Sequence, residues 1–193
     1  MNKILSIIIL SLLYCHTVLA DNVRNYEIEG MSIGDSLLNF MSKSEIKNNE
    51  IKYFANKKKY YVVGILDNLN TYDQVEIYLK SNDKKYKIEQ ITAMIFIDNL
   101  EECLLEKKKI IKSFGSSLVN LEKNSTIIAH SSDKTGKSKQ YQDSYWFNKK
   151  KSNIRIECVQ WSQKMKEEKE FISHLNVSAA SDKITSWINN GYK

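Results

Sequence analysis

Four groups of residues in this 193-residue chain have the types and spacing from which chemistry is built. Ser36, in Gly34-Asp35-Ser36-Leu37, is a candidate nucleophile, and a serine needs an imidazole to take its proton. The histidines on offer beyond the first twenty residues are His130 and His174. His130 with Asp133 has the donor types of a metal site, but zinc centres gather three or four clustered ligands, and the two histidines lie far apart in sequence. Ser131 to Ser138, SSDKTGKS, imitates a phosphate-binding loop. Ser131 stands where the first glycine belongs, and KQYQDSYWF behind it reads as a strand, not as the helix whose N-terminus would hold phosphate. It is read as a polar loop with a glycine turn. Cys103 and Cys158 form no CxxC and have no histidine nearby in sequence, so no reactive thiol is assigned.

The first twenty residues decide the compartment in which these groups would work. Lys3 supplies a basic start, an apolar run extends from Ile4 to Tyr14, and Val18-Leu19-Ala20 precedes Asp21. This is the three-part pattern of a cleavable export signal, and its apolar run is too short to span a bilayer, which takes about 20 residues. Residues 1–20 are therefore expected to be a signal peptide. The lipoprotein alternative at Cys15 wants a small residue before the cysteine, and Tyr14 is bulky. Residues 21–193 are expected to form a single periplasmic or secreted domain, with no transmembrane segment in the mature chain.

The net charge of +6 falls to +5 once Lys3 leaves. Only Arg24 and Arg155 are arginines among 29 basic residues, so the usual reader of phosphates and bases is nearly missing and nucleic acid is excluded as a partner. Proline is absent and Asn, Lys and Ile abound, a composition typical of an AT-rich bacterial genome. The runs Lys57-Lys58-Lys59 and Lys107-Lys108-Lys109 are read as solvated surface.

The periodicity predicts α+β architecture: an antiparallel meander sheet with helices packed on one face. Ser32 and Asp35 have capping-box spacing and predict a helix from Ile33 into the 40s, with a restart at Ser42 and Glu45. Strands are predicted over 59–66, 71–80 and 86–97, the last with a bulge near Gln90. A helix over 99–114 starts from Asp98 and presents Leu100, Cys103, Leu104, Lys107, Ile111 and Phe114 as a stripe; Gly115 ends it. Further strands are expected over 125–130, 143–148, 153–161 and 171–179, and a helix over 182–190 capped by Ser181. Loop 131–140 is expected to be the most mobile part, and His174 to be exposed on the polar side of its strand.

An exported chain with two remaining cysteines predicts one disulfide, Cys103 to Cys158. Cys103 lies on the helix stripe and Cys158 on the apolar side of its strand, so a helix packed on that sheet would bring both into one layer.

Two resemblances bear on function. Gly34-Asp35-Ser36-Leu37 resembles the GDSL esterase and lipase family, which implies Ser36 as nucleophile. That family's late Asp-x-x-His is not matched, since Ile127 and Phe171 precede the histidines by three, and its parallel strand-helix alternation is missing. The opening Glu29-Gly30-Met31-Ser32-Ile33-Gly34-Asp35-Ser36-Leu37-Leu38, with Tyr72-Asp73-Gln74-Val75 and Cys158-Val159-Gln160-Trp161-Ser162, is similar to small exported proteins of AT-rich marine bacteria. This implies a periplasmic protein and supplies no active-site residues. More faintly, Gly30-Met31-Ser32 is similar to small envelope lipoproteins that assist outer-membrane protein assembly. The sequence thus reads as a non-enzymatic binding or envelope-interaction protein, partnered by an envelope protein or a small periplasmic ligand, with no metal or cofactor. A GDSL-type serine esterase using Ser36 is the alternative.

Overall fold

The alternating runs become one large sheet whose two sides differ in chemistry. The computed structural model describes residues 22–51, 59–147 and 151–191; the leader 1–20 with Cys15, and Lys57 and Lys58 of the first lysine run, lie outside the described residues. In chain order the strands are β1 (Glu27–Ile28), β2 (Met31–Ser32), β3 (Glu50–Ile51), β4 (Tyr60–Ile65), β5 (Gln74–Lys80), β6 (Ile88–Phe96), β7 (Glu122–Ala129), β8 (Lys139–Phe147), β9 (Ser152–Gln160) and β10 (His174–Ala180). The α-helices are α1 (Lys43–Asn48), α2 (Leu100–Ser113), α3 (Gln163–Lys169) and α4 (Asp182–Asn189).

β1 and β2 form a small hairpin, and the other eight strands form one antiparallel sheet in the order β3-β4-β5-β6-β10-β9-β8-β7. The α+β class holds. In place of a single meander there are two, β3 to β6 and β7 to β10, which run in from opposite edges and meet where β10 pairs with β6. Helix α2 carries the chain from the middle of the sheet to the far edge, crossing β10 and β9 as it goes.

One side of the sheet is apolar. Val75, Ile77, Leu79, Ile91, Leu175, Val177 and Ile156 are all buried there, with Tyr26 and Leu37 of the N-terminal segment laid over them. Each such aliphatic side chain removed from water contributes about 2 kcal/mol. Tyr26 wedges between Phe114 and Phe147, with ring centroids 5.7 and 5.6 Å away, and its hydroxyl donates to the Ser117 carbonyl at 2.7 Å. The helices do not share one face. α2 lies on the apolar side, but Ile184 and Trp187 of α4 pack against Tyr60 and Ala180, whose neighbours in β4 and β10 point the other way.

The cysteine pair closes as expected. Cys103 on α2 and Cys158 on β9 are 6.0 Å apart at Cα with their sulfurs at disulfide distance. Lys107, one turn further along the stripe, is buried rather than solvated. Its ammonium donates to the Tyr141 carbonyl at 2.8 Å and lies 3.2 Å from the Asp143 carboxylate. Burial opposes ionisation of Asp143, but the Ser125 hydroxyl and the Lys107 ammonium outweigh it and hold the carboxyl below its ordinary range.

Several local expectations shift. No helix starts at Ser32; its N–H is taken by the Asp35 carboxylate at 2.9 Å within a turn, and only a 3-10 turn, Leu37–Asn39, follows. Ser42 and Glu45 do form a reciprocal capping box on α1. Asn99, not Asp98, caps α2 by accepting from the Glu102 N–H at 3.0 Å, while Asp98 pairs with Lys166. The β6 bulge is present: Tyr78 faces Gln90 and Leu79 faces Ile88, leaving Glu89 as the extra residue. Helix α3 was not anticipated, and Phe171 precedes β10 instead of extending its inner face.

Candidate functional site

The tetrapeptide around Ser36 is occupied by structural work. Gly34 donates its N–H to the Ile88 carbonyl at 2.8 Å, and the Asp35 carbonyl accepts from the Ile88 N–H at 2.9 Å. Ser36 forms a bridge with Lys87 and its hydroxyl donates to the Lys85 carbonyl at 2.7 Å. Gly34 is favoured because its φ is +93°, a backbone conformation that residues with a Cβ rarely adopt. These bonds pin the motif to the start of β6. His174 pairs with Phe96 at the other end of that strand. At about 3.3 Å per residue, roughly 30 Å separates Ser36 from it along the strand axis.

Loop 130–138 is held by one carboxylate. Asp133 is 4 % exposed. It accepts from the Thr135 N–H and hydroxyl at 2.9 and 2.7 Å, from the Ser138 N–H and hydroxyl at 3.0 and 2.6 Å, and from the Ser162 hydroxyl at 2.9 Å. The Ser138 and Thr135 hydroxyls hold its carboxyl far below the ordinary value. The loop expected to be mobile is therefore stapled to the start of α3. Its glycine, Gly136 at φ +70°, serves the turn, and the next element is β8, with no helix N-terminus to receive a phosphate.

The site the sequence did not announce is the polar side of the sheet. Strand register aligns Glu76, Thr92, Ser178 and Arg155 in one row across β5, β6, β10 and β9, and Gln74, Met94, Asn176 and Glu157 in the next. Helix α4 closes one end of this surface, where the Tyr60 and Trp187 rings meet at a tilt, their centroids 4.8 Å apart. Loop 130–132 overhangs the other end, where the His130 ring centroid lies 4.1 Å from that of Trp161, which meets Phe171 at a tilt with centroids 4.5 Å apart. Between them lies a cleft of about 520 Å³.

The cleft brings together His130 and His174, the two histidines that stand far apart in sequence, with Arg155, Glu157 and Glu76. His174 is not simply exposed. Burial pushes its imidazole below the ordinary value, and the same cause acts on His130. The tautomers follow from their neighbours: the His174 Nδ1 lies 2.6 Å from the Ile172 carbonyl and so carries the proton, whereas the His130 Nδ1 accepts from the Ser132 N–H at 3.2 Å. Both rings are neutral at neutral pH.

Hydrogen bonding on this surface is incomplete in one place. Gln90, 4 % exposed, donates its Nε2 to the Thr92 hydroxyl at 3.0 Å, and Asn176 donates its Nδ2 to Glu157 at 3.3 Å. The opposite atoms of both amides, Gln90 Oε1 and Asn176 Oδ1, are buried with no partner, and so is Arg155 Nε. All three residues line the same cleft. An unmet buried polar group costs about 1–3 kcal/mol, so three around one cleft mark a place built to take up donors and an acceptor from outside the chain.

The arrangement can bind and orient a polar molecule. Neither imidazole has a serine, threonine or tyrosine hydroxyl bonded to it among the described residues. Nor does any group of three His, Cys, Asp or Glu side chains there fit a metal ion, and no helix among them is long and apolar enough to cross a membrane. Compared with protein-family models, curated proteins and solved structures, the chain matches none.

Proposed function

We propose that this is an exported periplasmic protein that binds a polar small molecule, without catalysis, in the cleft on the polar side of its sheet. The observation that carries the reading is the convergence of Gln90 Oε1, Asn176 Oδ1 and Arg155 Nε, each buried and unpartnered, on one cleft. A cleft of a few hundred cubic ångströms with convergent polar groups on a rigid sheet is what small-ligand sites share. Thermal-shift screening of refolded protein against polar metabolites tests it. A ligand at about 100 times its Kd stabilises by about 2.7 kcal/mol, which raises the melting temperature by about 5–10 °C for a domain of this size. A flat response across sugars, amino acids, organic acids and phosphate counts against it. Export has its own check: N-terminal sequencing of the envelope fraction is expected to begin at Asp21.

A specific observation favours a second reading, docking to an envelope protein. β7 is an edge strand, exposed along nearly its whole length, with Ile127 67 % and Ile128 45 % exposed. An edge of this kind is a template for strand addition. Crosslinking from position 127 in intact cells is expected to trap a protein partner if this edge is used, and a second substitution, Ile128→Lys, to abolish the crosslink. The esterase alternative predicts hydrolysis of model esters that Ser36→Ala removes; we expect no such activity.

A further inference from the structure

The unmet groups of the cleft differ in kind, and the difference restricts the ligand. Arg155 offers a cationic donor, and a guanidinium pairs best with a carboxylate. Gln90 and Asn176 offer bare amide oxygens, which need N–H or O–H donors. The carboxylates of Glu157 and Glu76, 5 % and 2 % exposed, face the same space. A purely anionic ligand would meet those two carboxylates, a polyamine would meet Arg155, and a neutral sugar would leave the guanidinium without a charge partner. A molecule carrying both signs satisfies every group.

On this ground, and resting on the binding role proposed above, we infer that the cleft takes a small zwitterion, a free amino acid or a peptide of two or three residues. Its carboxylate lies on Arg155 and its ammonium on Asn176 beside Glu157, while Gln90, on the far side of the Arg155 row, accepts from a further N–H or O–H of the ligand. The register supports the spacing. Arg155 is paired with Ser178, two residues from Asn176, so Arg155 and Asn176 are diagonal neighbours with Cβ atoms about 7 Å apart, a gap their side chains and an amino-acid backbone fill. Glu157, directly opposite Asn176, holds the amide so that its oxygen is the atom left open.

The test is calorimetric titration of the full mature chain, freed of co-purified ligand by unfolding and refolding. The panel contains the common amino acids, alanine di- and tripeptides, the N-acetyl and C-amide derivative of each binder, hexoses and inorganic phosphate. At least one zwitterion is expected to bind, and blocking either of its charges to weaken it about tenfold or more. Arg155→Met is expected to cost at least as much while melting normally; if it fails to fold, Arg155→Lys and the wild-type series with blocked ligands carry the decision. Zwitterion binding unchanged in both arginine variants overturns the assignment of the site. Binding of hexoses or phosphate instead overturns the ligand class and leaves the binding role standing. A flat panel, with only water in the cleft, overturns both.

Discussion

Breaking the bond between Cys103 and Cys158 should remove about 4 kcal/mol of stability from this domain. The bridge closes a loop of 55 residues between α2 and β9. In the chain-entropy picture the denatured chain loses about 2.1 + 1.5R ln 55 cal/mol/K, or about 14 cal/mol/K, which is about 4 kcal/mol at 25 °C. For a domain of this length, 1 kcal/mol moves the melting temperature by about 2–4 °C, so the midpoint should fall by about 8–16 °C on reduction. Equilibrium urea unfolding with and without reductant isolates the loop contribution, because the sulfurs stay in place and only their link is lost. The slope should rise somewhat, because the unlinked denatured chain exposes more surface, and the midpoint should fall. The two cysteines are 2 % and 1 % exposed, so reduction of the folded protein must wait for the domain to open. Thiol appearance without denaturant should therefore be slow, and at high reductant concentration it should level off at the rate of opening. A reduced protein with an unchanged midpoint, or sulfurs titrated at once in the native state, would refute the picture of a buried crosslink that acts on the denatured chain.

Three other outcomes follow from separate parts of the molecule. Lys107→Met should cost about 3 kcal/mol in chemical denaturation, because it leaves the Asp143 carboxylate, 11 % exposed, with the neutral Ser125 hydroxyl and, as its one cation, the more distant Lys123 at 3.6 Å. Asp133→Ala should leave the sheet protected but speed amide exchange at Thr135, Ser138 and neighbouring positions of loop 130–138, read by hydrogen-exchange mass spectrometry. His130 and His174 titrate below the ordinary value when folded, chiefly through burial, and near 6.5 when unfolded. The unfolded chain then takes up protons first as pH falls. Stability from these rings is complete above about 7, declines as pH drops through 6.5 towards the folded values, and His174→Gln should flatten that part of the pH–melting curve.

What the sequence discloses is governed by how local the physics is. The alternation in β5, the bulge in β6, the cysteine-bearing stripe of α2 and the Ser181 cap of α4 are set by residues a few positions apart, and all are legible. The helix expected at Ser32 fails because a side chain accepting from an N–H three residues back also serves a tight turn, and Gly34 at φ +93° turns the chain away. α3 escapes notice because Met165 is its one buried residue, so it has no stripe. The cleft is illegible for a deeper reason. Glu76, Arg155, Glu157 and Asn176 alternate with apolar residues, and that pattern ordinarily means a side facing water. Only the return of α4 and the overhang of loop 130–132 turn it into an enclosed surface, and both depend on contacts between distant parts of the chain. The sheet order is equally non-local, since nothing near β10 says that its partners are β6 and β9.

That last strand has a further consequence for how the chain is made. Residues 174–180, which follow every other strand of the sheet in chain order, are paired along their full length on both sides in its interior. Until they emerge from the ribosome, β6 and β9 each present a long open rim, and neither half has its neighbour. A product that stops short of residue 174 would keep two sticky borders and should clump, whereas clipping after α4 should be harmless. Closure of the sheet thus waits until β10 has been made, after both of the strands it must join.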